Sequence, residues 1–238
     1  VRLWGSLGFL FTVFAAGSWF EIFGMKHFPA WTFLSLLAVT VSVWLLPDLK
    51  EAVSAHDLKL PVWPIFRQRA VVWFFASAFF HVLAHISIYV FFSLYLDANG
   101  YSKTMIGVLW AFSVVVEIGW FYTQGRWLPR LRLTAWLMVC SAAMALRMGI
   151  TAVWPGVLLL MLFAQALHAL TFATHHTGCI ALLSHHFPGR LRGRGQALYV
   201  VVAYGLPGVL GGLVGGLLSS AFGLVSVYWA CLAASLVA

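Results

Sequence analysis

The chain is short of charge. Six of its 238 residues are acidic and 14 are Lys or Arg, so charged residues make up 8% of the sequence. A soluble domain carries about 25%. So few charges cannot cover a surface that faces water. Cysteine is scarce as well. Cys140, Cys179 and Cys231 all fall inside apolar runs, which argues against a disulfide framework. No P-loop, dinucleotide fingerprint or Ser/His/Asp grouping occurs. The reading is therefore not an enzyme, with no cofactor and no metal. The first apolar stretch lacks a basic leader and a small-residue cleavage site, so no cleavable signal peptide is expected. The chain opens on Val1 and closes inside an apolar run, and both ends look clipped.

What is present is apolar. Hydrophobic residues make up 63% of the chain, and the mean hydropathy is +0.96. The apolar runs are continuous and do not alternate, which excludes a transmembrane barrel. The expected fold class is an all-α membrane protein with about eight transmembrane helices. The spans read as Leu3–Phe20, Trp31–Leu46, Val71–Leu96, Met105–Tyr122, Leu133–Val153, Val157–Leu183, Ala197–Ser219 and Leu224–Ala238.

The expected partner is the lipid bilayer, and the net charge of +8 does not point to nucleic acid, because the basic residues fall mostly in short loops between spans, where they act as topology signals. One set of loops holds Lys50, Lys59, Arg67, Arg69, Arg126, Arg130, Arg132, Arg190, Arg192 and Arg194. The other holds Lys26 and Lys103. The first set is expected in the cytoplasm. The long loop from Pro47 to Arg69 divides the chain into residues 1–47, a loop at 48–69, and residues 70–238. Pro155-Gly156 and Pro188-Gly189 mark turns. In the seventh span, Gly208, Gly212 and Gly216 form two small-xxx-small steps, with Gly211 and Gly215 beside them. Close helix packing is one reading. A hinge at Gly205 and Pro207 is the other.

The functional signal lies between Met105 and Thr177. Three successive crossings each carry costly polar groups: Glu117, then Arg147, then Gln165 with His168. An ionisable side chain at the bilayer centre costs about 2.5–3.5 kcal/mol on insertion scales, so such residues face a bundle interior and mark pathways or relays. Glu117 is the only acidic residue inside the eight spans as drawn. It is either a neutral packing acid or a proton acceptor and substrate partner. Arg147 cannot lose its proton, so it needs an anion: Glu117 in a fixed pair, or a substrate carboxylate. Gln165, His168 and Phe172 share one helical face. His81 and His85 share another, with Tyr89 one turn on. Each histidine is either a hydrogen-bonded core group or a functional one. His175 and His176 lie nearer the cytoplasmic end, where a solvated role is expected. His81 and His85 have the spacing of a helical zinc pair, but no acidic or thiolate ligand stands beside them.

At these residues the chain resembles the major facilitator superfamily, in the branch that holds the lactose permease and the phenylpropionate-type transporters. VRLWGSLGF resembles the start of the family's fifth helix. HISIY with NGYSKTMIGVLWAFSVVVE resembles the seventh and eighth, LRMG the ninth, QALHALTFATHH the tenth and QALY the start of the eleventh. GRWLPRLR is a weak echo of the family's cytoplasmic signature. The resemblance implies a major facilitator fold carrying family helices five to twelve. Residues 1–47 would then be the last two helices of the N-terminal half, 48–69 the central cytoplasmic loop, and 70–238 the C-terminal six-helix half. The missing N-terminal helices of the same polypeptide would be a partner.

The resemblance also implies roles. Arg2 and Phe9 match substrate-binding positions. Glu117 matches a substrate-and-coupling glutamate, and Arg147 and His168 match a coupling network. Thr171 stands where the sugar permease has its proton-binding glutamate. Gln165 and His85 stand where it has a lysine–aspartate pair. These departures favour the phenylpropionate-type branch, and two arginines suit a carboxylate. Proton coupling is expected from Glu117, His168 and Arg147. Substrate contacts are expected from Arg2, Phe9, His85, Tyr89, Glu117, Arg147, Gln165, His168 and Tyr199. The implied protein is a multi-pass transporter of the bacterial inner membrane. It would work by proton-coupled symport of a small organic solute such as an aromatic carboxylate, through alternating access. The alternatives are a sugar or nucleoside symporter of the same fold and, in another class, a non-transporting sensor or scaffold.

Overall fold

The computed structural model describes residues 2–47 and 62–238. Lys50 and Lys59, with most of the expected central loop, lie outside the described residues, as does the side chain of Arg2. Every regular element among the described residues is helical. The chain forms two units, Val1–Lys59 and Leu60–Ala238.

The first unit contains α1 (Arg2–Phe23) and α2 (Phe28–Trp44), joined at Gly24 and a short 3-10 turn. Trp19 and Trp31 meet edge to face at 5.2 Å. A hollow of about 550 Å³ between the two helices is lined by Phe11, Trp19, Phe28 and Trp31 among others, and among the described residues no ionisable side chain borders it.

The second unit contains α3 (Arg69–Ala98), α4 (Lys103–Trp127), α5 (Leu133–Val153), α6 (Leu158–His186), α7 (Gly189–Phe222) and α8 (Val225–Val237). Five of these, α3 to α7, are long and apolar enough to cross a membrane; α2 and α8 are apolar but shorter. The limits of α5 coincide with the expected span. Others run on past the apolar stretch, because hydropathy reports the lipid-soluble part of a helix and not its hydrogen-bonded end. Thus α1 takes in Glu21 and α3 takes in Asp97, so Glu117 is not the sole helical acid. Likewise α7 begins at Gly189, and the basic loop is drawn into its first turns.

The loops at the charge-poor end are tied by specific contacts. Gly100 adopts φ 86°, a left-handed turn after α3 that glycine takes without strain. Ser102 then caps α4, its Oγ accepting from the Met105 amide at 3.2 Å. Lys103 pairs with Asp97 at 2.6 Å across this turn. The Tyr101 hydroxyl donates to the Pro155 carbonyl at 2.8 Å, so the α3–α4 and α5–α6 turns lie at one end of the bundle.

Within the bundle α8 packs on α3 and α5, α7 on α3, and α6 on both α4 and α5. The seventh-span glycines divide by face. A Cβ on Gly215 would lie 2.5 Å from the Phe91 ring, and one on Gly211 would lie 3.3 Å from Ile86. Gly212 and Gly216 have nothing within 4 Å. The close approach to α3 therefore uses Gly211 and Gly215; of the Gly208, Gly212 and Gly216 row read from the sequence, only Gly208 faces α3, in ordinary contact with Ile86 at 3.6 Å. A π-helical segment, Ala169–Thr174, interrupts α6, and a second, Val200–Gly205, lies in α7. The α7 segment ends beside Pro207, whose missing N–H and bulky ring disrupt the regular ladder.

Two apolar clusters fill the bundle. One gathers Phe91, Leu96, Leu109, Met144, Met148 and Tyr228 toward the charge-poor end. The other gathers Phe75, Cys179, Leu183, Phe187, Tyr199 and Ala203 toward the basic end. Buried polar side chains lie between them on α3, α4, α5 and α6.

Candidate functional site

Arg147 is the centre of this polar layer. It is 2% exposed, on α5. A guanidinium only donates, so each partner must accept. Nη1 donates to Thr171 Oγ1 at 3.0 Å and to His168 Nδ1 at 3.3 Å. Nη2 donates to Gln165 Oε1. The Gln165 amide nitrogen then donates to the Leu109 carbonyl of α4 at 3.2 Å, which fixes the orientation of the amide. Three residues of α6 thus serve one side chain of α5.

That arrangement sets the tautomer of His168. Because Nδ1 faces a donor, it is the bare nitrogen. The ring proton sits on Nε2, which donates to Glu117 Oε2 on α4 at 3.0 Å. Glu117 and Arg147 are therefore joined through a neutral imidazole. Among the described residues no direct ion pair links them. This corrects the fixed pair weighed from the sequence. The helix spacing explains it: an α6 side chain stands between the two charges.

The π-helical turn in α6 belongs to the same construction. A π-turn inserts an extra residue and resets which side chains face inward. Thr174 Oγ1 donates to the Ala169 carbonyl five residues back, at 3.0 Å. His81 on α3 bonds the Thr171 carbonyl through Nε2 at 2.8 Å. His175 is 2% exposed, and its ring stacks on His81 with centroids 3.6 Å apart and planes 9° apart. It is buried, and the solvated role expected for it does not hold. An aromatic wall adjoins the charged layer. His168 stacks on Phe172 at 5.1 Å, and Phe172 stacks on His85 at 5.5 Å. Tyr89, half exposed, stacks on Trp110 at 5.8 Å and meets His85 Nε2 through its hydroxyl at 3.3 Å.

Of the residues singled out by sequence, the structure brings together Glu117, Arg147, Gln165 and His168, with His85 and Tyr89 beside them. Tyr199 lies elsewhere, buried in the cluster toward the basic end and stacked on Phe74 at 6.2 Å. Arg2 opens α1, and Phe9, on the same helix, is 44% exposed. Both belong to the first unit. Sequence reasoning did not anticipate Thr171 as an arginine partner, or the His81–His175 stack. The available signal was the Thr171-to-His176 run itself, dense in polar groups for a lipid-embedded span.

The sequence profile described as the MFS_1 like family matches residues 1–230. The chain belongs to that family. It is thus a multi-pass membrane protein, in keeping with its apolar helices. Among curated proteins it is similar to the "Probable 3-phenylpropionic acid transporter" of Escherichia coli (strain K12). The two are 25% identical over 213 residues, which is 86% of this chain and 54% of the relative. The chain spans about half the length of that relative. The MFS_1 like match runs through every residue of the polar layer, from His81 to His175.

Proposed function

We propose that this protein is a secondary active transporter that carries a small organic anion, an aromatic carboxylate such as 3-phenylpropionate, together with protons. The observation that carries the reading is the buried bridge Glu117–His168–Arg147. A static scaffold gains nothing from placing two opposite charges and an imidazole in a membrane-spanning bundle. The resemblance to a transporter whose name includes 3-phenylpropionic acid supports the substrate class.

The geometry suggests how anion and proton are linked. Arg147 spends its donors on two neutral side chains and one bare imidazole nitrogen. A carboxylate can take a guanidinium bidentately, and does so more strongly than a neutral acceptor. If it displaces His168, Nδ1 is left open and the Arg147 charge is balanced. A proton can then occupy Nδ1, while Nε2–H stays on Glu117. The aromatic wall of Tyr89, Trp110 and Phe172 offers faces for an aromatic solute. Alternating access moves the loaded site between membrane faces.

The finer architecture belongs to the same proposal. The helices correspond to family helices five to twelve, and the resemblance that supports this numbering is also what supports Arg2 and Phe9 as solute-binding residues. The remaining helices of a full facilitator complete the site. The basic ends of α4, α5 and α7 face the cytoplasm of a bacterial inner membrane.

The test uses the protein from its complete reading frame in proteoliposomes with an imposed inward proton gradient. Radiolabelled 3-phenylpropionate should accumulate above its equilibrium level, and collapsing the gradient should abolish the accumulation. Competition by sugars or nucleosides but not by aromatic acids would replace the substrate class. Saturable uptake that ignores the proton gradient would overturn the coupling.

A further inference from the structure

A cavity of about 160 Å³ lies beside the charged bridge, inside the second unit. Its lining includes His81, His85, Tyr89, Thr171, His175 and Tyr204. The bridge itself does not use His81 or His175.

The hydrogen bonds assign the chemistry of this cavity. His81 Nε2 faces the Thr171 carbonyl, which can only accept, so Nε2 carries the proton and Nδ1 is a bare acceptor. His81 is fully buried, and its Nδ1 has no protein partner. His85 lies one turn on, where the Tyr89 hydroxyl can donate or accept and so admits either tautomer. Its Nε2 meets the Tyr89 hydroxyl, it is 4% exposed, and its Nδ1 is likewise unpartnered. Two buried, unpartnered ring nitrogens on residues that line one cavity, the one on His81 a bare acceptor, call for a hydrogen-bonding molecule there. Water occupies about 30 Å³ in the liquid, so the cavity has room for about five molecules.

We propose that the cavity holds a water chain that carries the proton from the bridge toward the basic end of the bundle. The inference rests on the proton-coupled reading above. His85 is the entry, with its ring centroid 5.4 Å from that of His168. His81 is the midpoint. His81 takes a proton on Nδ1 from one water and returns it to the next, so its Nε2–H bond to Thr171 is kept and its ring does not have to flip; His85 does the same in the tautomer that donates from Nε2 to the Tyr89 hydroxyl. His175 stacks flat on His81, and two imidazolium rings in that contact repel each other. The pair therefore passes one proton at a time. Tyr204 is the exit. Its hydroxyl lies 3.4 Å from Nδ1 of His176, which is only partly buried. A route straight down α6 is closed, because Cys179, Leu183 and Phe187 are fully buried in an apolar cluster.

The charged and titratable groups around His81 come from every neighbouring helix. They are His85 and Tyr89 on α3, Glu117 on α4, Arg147 on α5, His168, His175, His176 and Cys179 on α6, and Tyr199 and Tyr204 on α7. Of these, the proposed route uses His85, His81, Tyr204 and His176.

The experiment uses the complete transporter in liposomes loaded with a pH-sensitive dye, with 3-phenylpropionate as the driving solute. His81→Gln keeps an amide donor for the Thr171 carbonyl but cannot hold a proton. Tyr204→Phe removes only the exit hydroxyl. Each should slow solute-driven proton entry at least tenfold while solute exchange across the membrane stays within twofold of wild type. Wild-type proton entry in both variants overturns the route, and so does a parallel fall in exchange, which marks a packing role. If His81→Gln does not reach the membrane, Tyr204→Phe decides alone. If the wild-type protein moves no protons with the solute, the coupled reading falls and takes the route with it. If wild type couples and both variants couple equally well, the route alone falls.

Discussion

Glu117 and Arg147 face each other across one imidazole. His168 accepts from the guanidinium at 3.3 Å through Nδ1 and donates to the carboxylate at 3.0 Å through Nε2. A direct ion pair would cancel both charges and leave little to switch. A neutral bridge can be broken on one side by a competing anion and protonated at the atom thereby freed. The arrangement makes Arg147 the place where a solute would be sensed and His168 the place where the result is passed on.

Arg147→Lys should expose how much depends on the shape of the guanidinium. A lysine keeps the charge but concentrates its donors at one point, so it cannot reach Gln165, Thr171 and His168 together. Each buried acceptor left unpaired costs about 1–3 kcal/mol. Expected outcomes are a lower unfolding midpoint and affinity for 3-phenylpropionate weakened tenfold or more, measured by thermal unfolding and by equilibrium binding. Wild-type affinity in this variant would remove Arg147 from the solute site.

The two glycine faces of α7 give a stability test independent of transport. Gly215→Ala drives a methyl into the Phe91 ring at 2.5 Å. Overpacking of this kind costs about 1–3 kcal/mol. Gly216→Ala meets nothing within 4 Å, and replacing a mid-helix glycine gains up to about 1 kcal/mol. Unfolding in a mild detergent should therefore rank Gly216→Ala at or above wild type and Gly215→Ala below it. The reverse order would mean that α7 packs through its other face.

This contrast also shows how far the sequence could be read. Hydropathy located α5 to the residue, because both of its ends coincide with the edges of an apolar run. It cut α3 and α7 short, since Asp97 and the arginines of α7 are helical without being apolar. Glu117, Arg147, Gln165 and His168 stood out because buried polarity is expensive in lipid. Their order in the network did not, because the bridging position of His168 depends on three helices meeting at one level. The π-turns in α6 and α7 were invisible for the same reason. A ladder that widens by one residue leaves no mark on composition, and the glycine spacing could not say which face met Phe91.

Membrane orientation can be settled with single cysteines at Ser102 and Gly193, both exposed and at opposite ends of the bundle. Cys140, Cys179 and Cys231 are buried, so an impermeant thiol reagent should not reach them in the folded protein. In intact cells, Ser102→Cys should label and Gly193→Cys should label only after permeabilisation. Labelling of Gly193→Cys alone in intact cells would invert the topology.

Glu117→Gln separates a coupling carboxylate from a packing one. The glutamine carbonyl can still accept from His168 Nε2, so the bridge keeps its geometry while losing its negative charge and its ability to take up a proton. If Glu117 couples protons, accumulation against a gradient should fall at least tenfold, while solute exchange, which needs no net proton movement, stays within a few fold. If Glu117 only balances Arg147, the loss should appear as misfolding, because an unbalanced buried charge costs about 3–5 kcal/mol. Adding Arg147→Gln to the same chain would then restore expression. The double variant distinguishes the cases in a second way. Groups joined through a shared hydrogen-bond network show coupling energies of about 0.5–3 kcal/mol in a double-mutant cycle. The His168 bridge predicts a value inside that range for Glu117 and Arg147 even though the two do not touch. Strict additivity would mean that the imidazole transmits nothing. Undiminished uphill uptake in Glu117→Gln would remove this carboxylate from proton coupling and leave His168 as the group that carries the charge.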